Sequence, residues 1–179
     1  LKEKDMSKVK YTTMAGTANY PWLQPGRPDT AFDVEGKYKT ELRMSATDAK
    51  DLVSVITGLR DEFPKAKHER VRIPFRTDEE TGDIIFKVSS KFQPKYYDAK
   101  GNPVPINAVP LMYSGSTLKA GGMCESYTNG ANDGVALRLG AIQIIDPVSN
   151  GDSGGSFEPT EGYTADMADN SSSDDDYEF

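Results

Sequence analysis

The chain has 179 residues, 36% of them hydrophobic, with 28 Asp and Glu against 21 Lys and Arg for a formal net charge of −7. No apolar run approaches the ~20 residues needed to cross a bilayer, and one cysteine with one histidine (Cys124 and His68) excludes an intramolecular disulfide and a Cys/His zinc site. The apolar share is low for a wholly globular chain, which calls for a segment that buries nothing.

Residues 1–10 are charged, lack an initiator Met and lack the apolar core of a signal peptide. The numbering is therefore expected to begin after trimming, and the compartment to be a reducing cytoplasm. Residues 8–18 alternate and are rich in Thr, Val and Tyr, which predicts a strand. Residues 19–36 carry Pro21, Pro25, Pro28 and two glycines, which predicts a loop. In residues 37–44, Tyr38, Thr40, Leu42 and Met44 fall on one strand face and Lys37, Lys39, Glu41 and Arg43 on the other. Residues 45–63 are the good helix candidate. Thr47 can cap it, with Lys50 leaving the capping box incomplete, Leu52, Val55, Ile56 and Leu59 form its apolar face, and Pro64 ends it.

Residues 70–76 read as a short edge strand because Pro74 interrupts them. Residues 78–83, with Gly82, read as a hairpin turn. In the strand predicted over 84–93, Phe86, Val88, Ser90 and Phe92 alternate against Ile85, Lys87, Ser89 and Lys91. Residues 98–102 form a turn, and strands over 116–126 and 135–146 flank a Gly/Asn/Asp hairpin tip at 128–134. There is no internal repeat. The pattern predicts a mainly β chain: an OB-fold-like five-stranded barrel with one inserted helix over residues 1–148.

From Ser149 the composition shifts to Gly, Ser, Asp and Asn with isolated aromatics. Such a segment cannot bury enough apolar area to offset its ordering entropy, so residues 149–179 are expected to form a disordered acidic C-terminal tail. Residues 151–179 hold nine acids and no base, leaving 19 acids against all 21 bases in the first 150 residues, a net of +2. A mildly basic body thus carries a strongly acidic tail, the most informative feature of the composition.

Single strands of nucleic acid are held by Lys and Arg tracking phosphates and by aromatic rings stacking on bases. Bases and rings interleave in three places. Lys8, Lys10 and Tyr11 accompany Tyr20, Trp22 and Arg27; Lys37, Lys39 and Arg43 share an outer strand face; Lys87, Lys91, Phe92, Lys95, Tyr96 and Tyr97 form the third group. Lys87 and Lys91 on one face would stand ~13 Å apart. The competing reading of the outer-face bases is a merely solvated face, and Tyr38, Leu42 and Phe86 are read as core. Trp22 in a Pro-rich loop has little core to join, and one of Tyr96 and Tyr97 must face outward, so stacking is the expected role there. Cys124 is read as a barrel cysteine rather than a nucleophile, because its base would have to be the distant His68.

At the C-terminus, Asp174, Asp175, Asp176, Tyr177, Glu178 and Phe179 set a terminal ring behind an acidic run. A solubilising tail is the simpler reading, but solubility has no need of a terminal Phe. A ring with its α-carboxylate suits capture in an apolar pocket lined by Arg or Lys. The acids can also compete with DNA for the protein's own basic groove.

In their order along the chain, Gly16-Thr17-Ala18 with following aromatics and Pro25, Gly36-Lys37-Tyr38-Lys39 with Leu42, Pro74-Phe75, Phe86-Lys87 with Phe92, Gly115-Ser116-Thr117-Leu118-Lys119, Leu137-Arg138-Leu139 and the acidic tail ending in Phe179 carry a family likeness. The chain resembles the single-stranded DNA-binding proteins of T-odd-type podophages and related phages. The resemblance implies an OB-fold with a helix inserted between strands. It implies non-sequence-specific binding of single-stranded DNA in phage DNA replication, recombination and repair, in the cytoplasm of the infected host cell. It also implies a tail that docks on the replicative DNA polymerase and the helicase-primase, and a homodimer whose tail shields the groove. The chain departs from the pattern in its short helix region and its long hairpin at 123–134.

Nothing in the pattern calls for an enzyme or a cofactor: Gly121-Gly122 is not followed by the Lys-Ser/Thr of a phosphate loop, and the acids lack calcium-loop spacing. An adaptor barrel that binds protein and carries a solubilising tail is the alternative. A double-stranded DNA architectural or annealing factor is disfavoured by the low body charge.

Overall fold

The computed structural model of the protein describes residues 7–149 and 159–162. The expected acidic tail otherwise lies outside the described residues, as do all six candidate partner-binding residues at 174–179. The described chain forms β1 (Lys8–Thr12), β2 (Gly16–Trp22), β3 (Tyr38–Met44), α1 (Ala46–Arg60), β4 (Phe75–Thr77), β5 (Ile84–Ser90), β6 (Lys95–Tyr97), β7 (Thr117–Asn129) and β8 (Asn132–Asp146). The strands lie in one sheet in the order β1-β7-β2-β3-β5-β8-β6, with β4 on β5. β7 also pairs β8, which bends the sheet back on itself and makes a ring of β2, β3, β5, β8 and β7. Within the ring, β5 and β8 run parallel and the other neighbours antiparallel.

The five-stranded barrel expected from the sequence is therefore present as a ring of five strands but not as a closed barrel. Two seams are thin: β5 meets β8 only at Val88↔Leu137 and Ser89↔Arg138, and β2 meets β7 only at Gly16↔Leu118 and Thr17↔Thr117. β1, β4 and β6 extend the ring as additional strands.

The core follows from period-2 alternation. Along β3, Tyr38, Thr40, Leu42 and Met44 are buried while Lys39, Glu41 and Arg43 are half-exposed. Phe86 is fully buried at the centre of β5, opposite Leu42 of β3 and Phe75 of β4, with its ring centroid 6.0 Å from that of Phe75. α1 covers one side of the β7–β8 ribbon through Ala49, Leu52, Ile56 and Leu59, all buried.

Several boundaries differ from the sequence expectation. Ser45, not Thr47, caps α1, its hydroxyl accepting from the Asp48 amide at 3.1 Å. The helix stops at Arg60, and Pro64 instead opens a 3-10 helix, Lys65–Arg70. The single strand expected over 8–18 is kinked into β1 and β2, which line up on the same long partner, β7, at different heights. Thr13 bridges the kink: its amide donates to Ala120 O at 2.8 Å and its hydroxyl accepts from the Ala120 amide at 3.0 Å. Trp22 ends β2 rather than lying in a loop, the expected edge strand shortens to Phe75–Thr77 after Pro74, β5 stops at Ser90, and Lys95–Tyr97 forms a strand. These short pairings depend on distant partners, to which local periodicity is blind.

Because Phe86 joins three strands at full burial, Phe86→Ala is expected to destabilise the protein by about 3–5 kcal/mol, read as a lowered midpoint with unchanged slope in urea denaturation.

Candidate nucleic-acid interface

Along one edge, β8 changes partner. It pairs β5 up to Arg138 and takes up β6 from Ala141. The chain between those strands, residues 91–94, leaves the sheet, and an open cleft of about 630 Å³ lies beside it. Lys37, Lys91, Phe92, Lys95 and Arg138 contribute side chains to its wall, and Gly122 and Gly140 contribute backbone. Gly122 is a steric necessity: a Cβ there would sit 1.9 Å from Arg138 O. The β7–β8 register shifts at this point, between Gly121 and Gly122.

The cleft is cationic. Lys37, Lys91 and Lys95 have no ion-pair partner among the described residues. Arg138 Nε donates to Glu125 Oε2 at 3.0 Å, and Glu125 is the acid that lines the cleft. Phe92 stands 79% exposed among these bases. Its loop is anchored at both sides: the Phe92 amide donates to Ser90 Oγ at 2.9 Å, and Gln93 Oε1 accepts from the Gly26 amide at 2.7 Å. A ring held out in this way offers a face for a nucleobase without a large ordering cost.

Of the residues singled out from sequence, Lys37, Lys91, Phe92 and Lys95 come together at the cleft. Lys91 does so by leaving the face of β5, so it does not share a strand face with Lys87, which stays exposed on β5 opposite Glu41. Trp22 lies half-exposed opposite Lys39. Tyr20, 75% exposed, sits in the bulge before it with φ of 51°, a left-handed backbone rarely adopted by an aromatic residue. Arg27 and Lys10 are exposed away from the cleft lining, and Tyr97 is half-buried on β6.

Two cations already have partners. Lys39 Nζ lies 2.6 Å from Asp29, whose carboxyl is held below the usual carboxylate range first by the Lys39 hydrogen bond and then by the Ala31 amide. Arg43 forks between Asp78 at 2.9 Å and Asp83 at 3.2 Å and braces the 78–83 turn.

Two expected ring contacts are corrected. Tyr11 and Tyr96 are core residues, 5% and 3% exposed. Tyr11 lies opposite Gly122, and its hydroxyl donates to Arg138 O at 3.1 Å. The Tyr96 hydroxyl donates to Leu23 O. Burial pushes both phenols well above their ordinary range. Cys124 is also fully buried, its thiol pushed up to about 11 by burial, so it remains protonated at neutral pH.

Arg138 and Phe32 were not singled out as site residues. The outward place of Arg138 between Leu137 and Leu139 was readable as alternation. Phe32 is 92% exposed in the loop after Pro28, with Lys39 Nζ 5.6 Å from its ring centre. Among the described residues no cluster of three or more His, Cys, Asp or Glu could hold a metal, and no helix is long and apolar enough to cross a membrane.

No protein-family model and no curated protein matches the sequence. Solved structures do. The single-stranded DNA binding protein gp2.5 encoded by bacteriophage T7 superposes with a TM-score of 0.66 at 22% identity, over 83% of this chain and 98% of that one. The chain has the fold of phage single-stranded DNA-binding proteins. The C-terminally truncated single-stranded DNA-binding protein from bacteriophage Enc34 gives 0.60 at 15% identity over 79% of this chain and 87% of its own. The Enc34 protein in complex with ssDNA gives 0.58 at 14% identity, over 79% and 88%. The helix between β3 and β5 and the ring of β2, β3, β5, β8 and β7 match the expectation of an OB-fold-like body with an inserted helix.

The Asp29–Lys39 pair makes a pH prediction. A depressed carboxylate contributes stability above its unfolded pKa of about 3.9 and loses it as pH falls through the lower folded value. Asp29→Asn is therefore expected to be less stable than the parent at neutral pH, with the difference closing as pH falls below the usual carboxylate range, as measured by denaturant unfolding from neutral pH downward.

Proposed function

We propose that the protein binds single-stranded DNA without sequence preference and without catalysis, serving phage DNA replication, recombination and repair in the host cytoplasm. The observation that carries this reading is the open cleft in which the unpartnered Lys37, Lys91 and Lys95 surround the exposed Phe92. The fold adds support, since the Enc34 protein that shares it was solved in complex with ssDNA. Phosphates meet the three unpaired lysines, and a base stacks on Phe92. Trp22, Tyr20 and Arg27, on β2 and the adjoining loop, extend the contact surface, with Lys87, Lys10 and Tyr97 as outlying contacts and Arg43 and the Asp29-paired Lys39 of β3 as braces.

In this reading residues 1–148 are the DNA-binding domain and 149–179 a disordered acidic tail. Asp174, Asp175, Asp176, Tyr177, Glu178 and Phe179 recruit the replicative DNA polymerase and helicase-primase and compete with DNA for the cleft, in a homodimer. The charge division supports it: the tail's acids complement the cleft's bases.

Titration with oligo-dT at increasing salt tests the binding. If Lys37, Lys91 and Lys95 each meet a phosphate, the log–log slope is expected to be about −2.1, and Lys91→Ala should lower its magnitude by about 0.7. Phe92→Ala should cost about 1–3 kcal/mol of affinity. Trp22, the one tryptophan, reports binding by fluorescence. Unchanged fluorescence with no salt dependence would favour the protein-binding adaptor instead. Removal of residues 174–179 is expected to strengthen DNA binding at low salt and abolish polymerase docking, and Phe179→Ala to affect docking far more than DNA binding; weaker DNA binding after truncation would sink the competition.

A further inference from the structure

A second depression, of about 220 Å³, adjoins the cleft on the outer side of the β7–β8 ribbon. Lys119 of β7, Gln143 of β8 and Tyr97 of β6 stand in register across three strands, and Thr12 at the end of β1 flanks them. Lys119, Gln143 and Tyr97 are partly exposed, while the alternating Ala120, Ile142 and Tyr96 are buried beneath. Lys119 has no ion-pair partner among the described residues. Gln143 Nε2 donates to Ala99 O at 2.9 Å and ties the 98–102 turn to the rim. The second groove thus repeats the make-up of the cleft: a free ammonium beside a part-exposed aromatic ring.

The two hollows share a low boundary. Gly122 and Gly140 line the cleft, and their neighbours Gly121 and Ala141 line the second groove. Gly122 is required by the fold, and Gly140 is the residue that the register leaves without a partner between Gly121↔Ala141 and Gly122↔Leu139. Its φ lies outside the left-handed region, and a Cβ on it would meet only Gly121 O and Gly122 Cα, both at an ordinary 3.6 Å. A bulged glycine leaves the boundary between the two hollows bare of any side chain.

We propose that single-stranded DNA does not end in the Phe92 cleft but crosses the chain at Gly140 into this second groove, where Lys119 meets a phosphate and Tyr97 a base. The inference rests on the single-stranded DNA reading above and lengthens its site. It carries the nucleotide path beyond the cleft along the outer side of β7–β8, to Lys119 and Tyr97.

The test uses the full chain and oligo-dT of about 5 and about 15 nucleotides, within the range of roughly 4–16 nucleotides that one OB fold covers. Lys119→Glu reverses one charge in the second groove without touching the core or the lining of the Phe92 cleft. This variant is expected to bind the 15-mer about tenfold more weakly than the parent and the 5-mer within about twofold. Parental affinity of Lys119→Glu for the 15-mer, or equal losses for both lengths, overturns the second groove while leaving DNA binding intact. Failure of the unaltered protein to bind either length overturns the DNA reading itself, and the groove with it.

Discussion

The pairing of β7 with β8 is the constraint from which the rest of this structure hangs. β1 and β2 attach to the free side of β7, β5 and β6 to the free side of β8, and the ring exists only because these two strands are also neighbours of each other. Their register shifts at Gly121/Gly122, where Arg138 O approaches so closely that only glycine fits. The same carbonyl accepts the Tyr11 hydroxyl, so one backbone atom joins β1, β7 and β8. The cleft lies directly over this knot, with the Arg138 side chain on its wall. A binding surface built on a ladder that cannot slip keeps its bases in fixed relative positions, which lowers the cost of ordering them around a ligand.

The bases of the protein divide by what they already touch. Arg43, Lys39, Arg76 and Lys67 lie within ion-pair distance of acids on other elements or turns, and so serve local geometry. Lys37, Lys91 and Lys95 converge without such partners. Surface ion pairs contribute little to stability, but they take a cation out of competition for phosphate. Unpaired cations in a shared cleft do the opposite: they repel one another slightly and gain most when a polyanion arrives. That distinction, rather than the count of bases, separates a nucleotide surface from a solvated one.

How far the site was legible depended on how local its causes are. Alternation at Tyr38, Leu42 and Met44 correctly assigned the inside of β3, and the helical spacing of Leu52, Ile56 and Leu59 assigned the buried side of α1. Phe92 was correctly noticed as a ring among lysines, but its reason was not: the strand was expected to continue to residue 93, whereas it ends at Ser90 because β8 gives up β5 and takes β6. Tyr11 is grouped by local sequence with Lys8 and Lys10, yet its place on β1 against β7 turns it into the core, where its hydroxyl donates to Arg138 O. Of Tyr96 and Tyr97, alternation required one to face out; only the partner strand decided that it is Tyr97.

What the sequence determined by itself was therefore the division of charge between body and tail, the mainly β character, the inserted helix and the faces of the longer strands. Each of these is written in composition or in a period of two or 3.6 residues, and needs no distant partner. The ring closure, the seam that opens into the cleft, and the sorting of cations into paired and unpaired were decided by tertiary structure. They depend on which residues far apart in the chain are brought side by side, and neither a local period nor a composition carries that information.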